Sequence, residues 1–164
     1  MIIKHKNNDI SSLVGKITWS GSRLQVARRL QFDYKQDARD PNLPNYPINN
    51  GETIYAYTED GKQIFEGNVY KVDKDTQGST VSILAYDHAW VLTRSKTTRK
   101  FKNANPADIA KGICGEMGVM PGAILDPGVS VSFIASAKTG YQIIMAAYTE
   151  AGKQNGKKYH MIMN

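Results

Sequence analysis

Nucleophilic catalysis needs a Cys, Ser or Lys held against a base, so the thiol and imidazole side chains are the first to consider. The chain has one cysteine, Cys114, and three histidines, His5, His88 and His160. None of the histidines forms a recognisable motif with Cys114. Cys114 also falls on the apolar stripe of a predicted helix, where a free cysteine behaves as a small buried hydrophobe. The sequence therefore predicts an inert thiol.

The sequence also shows no clear motif for metal binding, phosphate binding or sugar hydrolysis. Asp33, Asp37 and Asp40 lack calcium-loop spacing and border a proline-rich loop, where polar residues are expected. No Gly-Lys-Ser/Thr sequence follows a strand as a phosphate cradle, and no pair of carboxylates stands out for sugar hydrolysis, although their separation is a spatial property. We expect a protein that is not an enzyme, with no catalytic, cofactor-binding or metal-binding residue and no cofactor.

The stretch 94–102 is the one local basic cluster, with five Lys or Arg residues. Together with Tyr86 and Trp90 upstream, it could form an oligonucleotide groove on a small barrel. The net charge of +6 suits a nucleic acid, an anionic polymer or an acidic partner protein equally. A solvated strand or a partner contact is the favoured interpretation, and nucleic-acid binding is disfavoured.

Alternating residues predict a long hairpin near the start of the chain. From Arg23 to Tyr34 the apolar side chains share one parity, which is typical of a half-buried strand: Leu24, Val26, Leu30, Phe32 and Tyr34. Arg28 breaks this pattern, and we expect it at a barrel rim or with its stem buried and its head in water. A preceding strand over Val14–Trp19 is expected to turn Ile17 and Trp19 inward, with Ser20–Ser22 as the connection.

A second hairpin and a fifth strand continue the β-rich part. Thr53–Thr58 and Gln63–Val72 flank an Asp-Gly pair that accepts the positive φ angles of a tight turn. Gly67, inside the second arm, predicts a bulge. Thr80–Tyr86 adds the fifth strand, and this antiparallel series predicts a small barrel or a strongly curled sheet.

The segment from Lys35 to Gly51 contains three prolines and is predicted to be a long loop. Loops longer than roughly 12 to 15 residues are uncommon in compact domains and are usually functional or disordered. An assembly contact and a disordered excursion are both open interpretations, and the sequence assigns the loop no role.

Two short helices are predicted in the second part of the chain. Asn105 as N-cap and Pro106 at the first helical position begin one, which Gly118 can end. Thr139 and Gln142 have the spacing of a capping box for the other, which is expected to end at Gly152: its apolar stripe comprises Tyr141, Ile144, Met145 and Tyr148.

Val129–Ala135 is predicted to form a strand between these helices, and 158–164 begins another apolar strand that stops without a turn. We therefore expect the chain to continue in a longer parent protein. The fold class is α+β and predominantly β, with an antiparallel barrel over 1–95 and a smaller mixed α/β unit over 96–164.

Several stretches, taken in order, carry a family pattern. They are Ile17–Gly21 leading into Arg29–Phe32, then Ile64–Val69, Ser82–Asp87, and Phe101 leading to Asn105–Ala110. This order resembles the baseplate hub family of contractile phage tails, which includes the late-control D-type phage proteins and the XkdQ/YqbQ proteins of PBSX-like defective prophages. Each stretch is a fold pattern, so no catalytic residues transfer with the resemblance.

The resemblance implies a tail-tube-like β-barrel that self-associates as a ring-shaped trimer and joins the tail tube to the spike and baseplate proteins. Assembly in the bacterial cytoplasm and then incorporation into a phage tail or tail-like particle would follow. The first residues lack a signal peptide, and no apolar run reaches the roughly 20 residues needed to span a bilayer, so no membrane partner is expected. The alternative functions are a tail-associated cell-wall hydrolase and a nucleic-acid-binding β-barrel module.

Overall fold

The computed structural model describes residues 1–22, 25–37, 39–44, 46–74 and 79–161. Strands account for 44% of the residues and helices for 23%, which confirms the predominantly β fold with a smaller mixed unit. The chain forms two compact units, one over Met1–His88 and a second that begins at Ala89. The division into 1–95 and 96–164 stays a prediction. Within the described ranges, no helix is long and apolar enough to cross a membrane.

A curled, antiparallel half-barrel sheet forms the first unit. Its strands are β1 (Ile2–His5), β2 (Asn8–Asp9), β3 (Val14–Ser22), β4 (Gln25–Lys35), β5 (Thr53–Tyr57), β6 (Gln63–Lys74) and β7 (Thr80–Asp87). A 3-10 turn at Ser11–Leu13 precedes β3. The strand order is β2-β1-β5-β6-β7-β4-β3, so β2 and β3 are the end strands of the described sheet. β1 and β2 had no counterpart among the predicted strands.

The predicted alternation in β4 is confirmed, since Val26, Leu30, Phe32 and Tyr34 are all buried in the core. Arg23 and Leu24 lie outside the described residues. The inward orientation predicted for Trp19 is confirmed by its pairing with the buried Leu30, but its side chain is still 42% exposed. Trp19 is paired with Leu30 and shares its face, yet β3 is an end strand and leaves the indole uncovered on one side.

The second hairpin is confirmed, with Gly61 at φ +84° in its turn. The bulge predicted at Gly67 is wrong: Gly67 pairs regularly with Ile54 and Asp87. The register shift between β6 and β7 falls between Val69 and Lys71 instead. Gly67 is required by a close approach, because a Cβ there would lie 2.3 Å from the carbonyl oxygen of Tyr86.

The proline-rich loop follows β4 and packs on the core of the first unit. Ile48 is buried, and Leu43 and Tyr46 pack against the same cluster. The Tyr34 hydroxyl donates a hydrogen bond to the carbonyl oxygen of Tyr46 at 3.0 Å. The described residues of this loop therefore cover the sheet, which contradicts a disordered excursion for them.

The second unit contains α1 (Trp90–Arg94), β8 (Lys96–Ala104), α2 (Pro106–Glu116), β9 (Val131–Thr139) and α3 (Gly140–Asn155). β8 and β9 form an antiparallel two-stranded ribbon. The two predicted helices are confirmed as α2 and α3, and α1 is an additional five-residue helix. No strand forms over Lys158–Met161, contrary to the prediction, and 162–164 lie outside the described residues.

The helix caps follow the predicted chemistry, with one correction. Asn105 Oδ1 accepts a hydrogen bond from the Ala107 amide at 2.8 Å, and Thr139 with Gln142 forms the capping box. α3 continues past Gly152 and ends at Gly156, which has φ +72°. Gly152 lacks a side chain because a Cβ there would lie 2.5 Å from the Lys157 carbonyl oxygen.

A second core lies between the ribbon and the helices of this unit. Its buried side chains come from α1, α2, β9 and α3, and β8 contributes the partly buried Phe101 and Ala104. Phe101 and Phe133 lie against each other on the inner face of the ribbon, with ring centres 5.0 Å apart. The fully or nearly fully buried members include Leu92, Ile109, Ile113, Val131, Ile143 and Ala147. Each unit therefore has its own core.

Candidate assembly interface

Cys114 lies in the core of the second unit and is 3% exposed. Burial raises the pKa of its thiol, which keeps the sulfur protonated at neutral pH. Cys114 and His160 line the same cavity of about 300 Å³. In the described structure, however, no hydrogen bond joins them. The burial predicted for Cys114 is confirmed, and a protonated thiol without a base in contact is a poor nucleophile.

His5 is buried in the first unit, where its Nε2 lies 2.9 Å from Glu52 Oε2. The Lys6 ammonium contacts the other oxygen of the same carboxylate at 2.5 Å. Asn49 donates its backbone N–H to Glu52 at 2.8 Å. The Lys6 contact and, to a smaller extent, the Asn49 hydrogen bond stabilise the carboxylate and lower the pKa of Glu52 to about 2. This cluster fastens the end of the proline-rich loop to β1.

The remaining titratable candidates occupy separate local interactions. His88 Nε2 lies 3.5 Å from Glu66 Oε1 on the surface. The Arg39 guanidinium donates two hydrogen bonds to the Asp37 carboxylate, at 3.0 and 3.2 Å, and its backbone N–H donates a third at 3.0 Å. These bonds lower the pKa of that carboxyl. Among the residues described, no three His, Cys, Asp or Glu side chains are placed to hold a metal ion, and Asp33, Asp37 and Asp40 are not brought together as a site.

β3 is the long end strand of the first unit's sheet. Among the described strands it pairs only with β4, so its outer side faces no other strand. At the other end of the sheet, β2 is only two residues long. Long exposed edge strands are templates for pairing with another chain, and proteins usually shorten or cover them. β3 is therefore the part of the first unit that is best suited to an interaction between chains.

Two side chains mark the exposed part of this edge. The Arg28 guanidinium lies over the Trp19 ring, 5.5 Å from its centre. This placement agrees with the expectation that Arg28 has a partly buried stem and an accessible head. Tryptophan and arginine are enriched at the energetically dominant positions of protein interfaces. We call the outer side of β3 (Val14–Ser22) the β3 edge. The Trp19–Arg28 pair is thus a candidate anchor within this interface.

The predicted basic cluster lies in the second unit, on α1 and β8. Arg99 Nη2 donates to Glu116 Oε1 at 2.6 Å, and the Arg94 guanidinium lies 5.5 Å from the Trp90 ring centre. Tyr86 belongs to β7 of the first unit, where its ring contacts Tyr70. The aromatic residues predicted to line an oligonucleotide groove therefore have contacts within their own units.

The model of the family described as YQBQ-like matches residues 17–164 of the chain. The chain belongs to the YQBQ-like family. This result confirms the family that the ordered sequence pattern indicated, and the match includes most of β3 and the whole of the second unit. No curated protein sequence matches the chain.

Two solved structures share the fold of this YQBQ-like chain. The prophage MuSo2 43 kDa tail protein from Shewanella oneidensis matches 92% of the chain, with a TM-score of 0.65 and 17% sequence identity, over 47% of its own length. The tail protein from Neisseria meningitidis MC58 also matches 92%, with a TM-score of 0.61 and 16% identity, over 45% of its length. The chain spans less than half of each protein.

Two features of the YQBQ-like chain had no signal in the sequence. His5 and Glu52 are 47 positions apart, and neither belongs to a motif. The exposure of Trp19 depends on which strand ends the sheet, and alternation within one strand does not contain that information.

Proposed function

We propose that this YQBQ-like chain is a non-enzymatic structural component of a contractile phage tail or phage tail-like particle, in the hub that joins the tail tube to the spike. The observation that carries the proposal is the fold likeness to two tail proteins, one of them from a prophage, over 92% of the chain. Membership of the YQBQ-like family supports it independently. The proposed partners are the tail-tube, spike and baseplate proteins.

Self-association through the β3 edge is the second part of the proposal, with a ring-shaped trimer as the product. A closed ring of identical chains needs a heterologous contact, in which one surface meets a different surface of the next chain. β3 is nine residues long and contains the exposed Trp19, so it presents both edge backbone and an aromatic side chain. Covering this edge in the ring would also prevent uncontrolled pairing with other strands.

The buried state of Cys114 supports a structural role, because the strongest nucleophile in the chain is protonated and withdrawn from solvent. The His5–Glu52 contact likewise holds a loop in place. We propose that the chain folds in the bacterial cytoplasm and then enters the particle.

Quantitative mass spectrometry of particles purified on a density gradient tests this proposal. The chain is expected in the particle fraction with a copy number that is a multiple of three. The tail-tube protein in the same sample provides the internal standard. Absence from intact particles, with all of the protein in particle-free fractions, would refute the structural role.

A further inference from the structure

The net positive charge of the protein resides in the second unit. Residues 1–88 contain 11 Lys and Arg and 11 Asp and Glu, so they are neutral, whereas residues 89–164 contain 10 basic and four acidic residues. Five of those basic residues lie on the β8–β9 ribbon, and neither strand contains an acidic residue. The ribbon therefore concentrates nearly all the excess charge on one supersecondary element.

One face of this ribbon is covered and the other is not. Phe101 and Phe133 are cross-strand partners that face the core of the unit. Lys100 and Ile134 are the next pair and lie on the opposite face, where Ile134 is 69% exposed. In the described structure, β8 and β9 pair only with each other, so this outer face belongs to a ribbon without neighbouring strands.

Most of the ribbon's cations have no partner of opposite charge. Arg99 is engaged by Glu116. Within the described residues, Lys100, Lys102 and Lys138 form no ion pair, and the same is true of Lys96. An array of like charges raises the local potential and attracts oppositely charged partners. Ile134, 69% exposed, adds an apolar side chain to the same charged face.

We propose that the outer face of the β8–β9 ribbon, formed around Lys100, Lys102 and Ile134, docks an acidic protein surface that carries an apolar residue among its carboxylates. The lysines complement the carboxylates, and Ile134 buries its side chain against the apolar residue. This inference does not depend on the proposed role in a phage tail.

The chemistry of the face favours a protein over a nucleic acid. Single-stranded nucleic acids are bound by stacking bases on aromatic side chains. The aromatic residues of the ribbon, Phe101 and Phe133, are partly buried and stacked on each other in the core instead. Guanidinium groups are the side chains best suited to bidentate phosphate contacts. The ribbon's only guanidinium, that of Arg99, is already paired with Glu116.

Fluorescence anisotropy with labelled acidic peptides tests the docking face on the full 164-residue chain. One probe alternates Glu and Val, and a second probe of equal charge alternates Glu and Ser. The chain is expected to bind the Glu/Val probe more tightly, and Ile134→Ser should remove that preference. Lys100→Glu with Lys102→Glu should weaken binding of both probes by about tenfold, as expected for exposed ion pairs.

The matched control is Lys62→Glu with Lys157→Glu, which changes the net charge equally at two exposed lysines that belong to neither β8 nor β9. It should leave binding within about twofold of the parent chain. Circular dichroism checks folding, and Lys100→Gln with Lys102→Gln replaces the first pair if it unfolds. Equal weakening by the control pair would overturn the proposal. Tighter, ribbon-dependent binding of an oligonucleotide than of either peptide would also overturn it.

Discussion

The guanidinium carbon of Arg28 lies 5.5 Å from the centre of the Trp19 ring, on neighbouring strands at the edge of the first unit's sheet. This contact orients the indole while leaving 42% of the side chain exposed. A cation over an aromatic face contributes about 0.5–1 kcal/mol at an exposed site. An aromatic side chain that is already held in place loses little conformational entropy on association, which suits it to an interface.

Trp19→Ala should weaken self-association of the chain by at least about 30-fold, because truncating a central interface tryptophan commonly costs 2 kcal/mol or more. Sedimentation velocity over a concentration series measures the effect. The free energy of unfolding of the monomer should change little. Met120→Ala is the control, since Met120 is 93% exposed and belongs to the second unit and not to the sheet that contains β3. Equal losses in both variants would contradict the assignment of the β3 edge.

Gly67→Ala should destabilise the protein by at least about 2 kcal/mol, as overpacking does in a closely packed site. The added Cβ would lie 2.3 Å from the Tyr86 carbonyl oxygen and 2.7 Å from the Phe65 ring. Gly112→Ala provides the matched control, because its added Cβ meets nothing within 4 Å outside the local backbone of α2. That variant should be more stable by about 0.5–1 kcal/mol. Urea unfolding of both variants checks the pair of expectations.

Glu52 should make the stability of the protein depend on pH in the acid range. Its pKa is about 2 in the folded chain, below the ordinary value of 4.5, because of Lys6 and the Asn49 N–H. A lowered pKa means that the stabilisation is fully present above pH 4.5 and is lost as the pH falls towards 2. Glu52→Gln should therefore be less stable than the parent chain at pH 7, and the difference should shrink below pH 4.5.

Unfolding free energies measured from pH 7 to pH 2 check this prediction. Glu59→Gln serves as the control, since the Glu59 side chain is 91% exposed and, among the residues that the structure describes, forms an ion pair only with the N-terminal ammonium, at 3.5 Å. It should behave like the parent chain. A constant difference between Glu52→Gln and the parent across the whole range would show that the carboxylate charge is not responsible.

Cys114 should react with Ellman's reagent at least about a hundredfold more slowly in the native chain than in urea, because a buried thiol reacts only after local opening. A cysteine placed at exposed Ser136 in a Cys114→Ala background should react rapidly without urea. If native Cys114 reacted as fast as that surface cysteine, its assignment as a buried structural residue would be wrong.

Local patterns predicted much of the fold. Alternation identified Leu30, Phe32 and Tyr34 as core residues, and cap chemistry identified Asn105 and Thr139, because these signals depend on neighbours in sequence. The need for glycine at position 67 comes from the close approach of Tyr86 on the adjacent strand. A one-strand pattern contains no such contact.

The candidate interface was harder to predict for the same reason. Arg28 was recognised as unusual, but its partner Trp19 was expected inside, since strand order decides which residue is left at the edge. The basic stretch 94–102 was recognisable from composition. Which of its side chains face outward depended on the pairing of Lys100 with Ile134 across the ribbon.

The position of the protein within a particle tests the central claim most directly. Gold-labelled antibodies against this chain, applied to purified particles from the producing bacterium, can be located by electron microscopy. The proposed function predicts label at one end of the tail, where the tube meets the spike, on intact particles. Intact tails without label there, under conditions in which the antibody recognises the folded chain, would contradict a structural role in the hub.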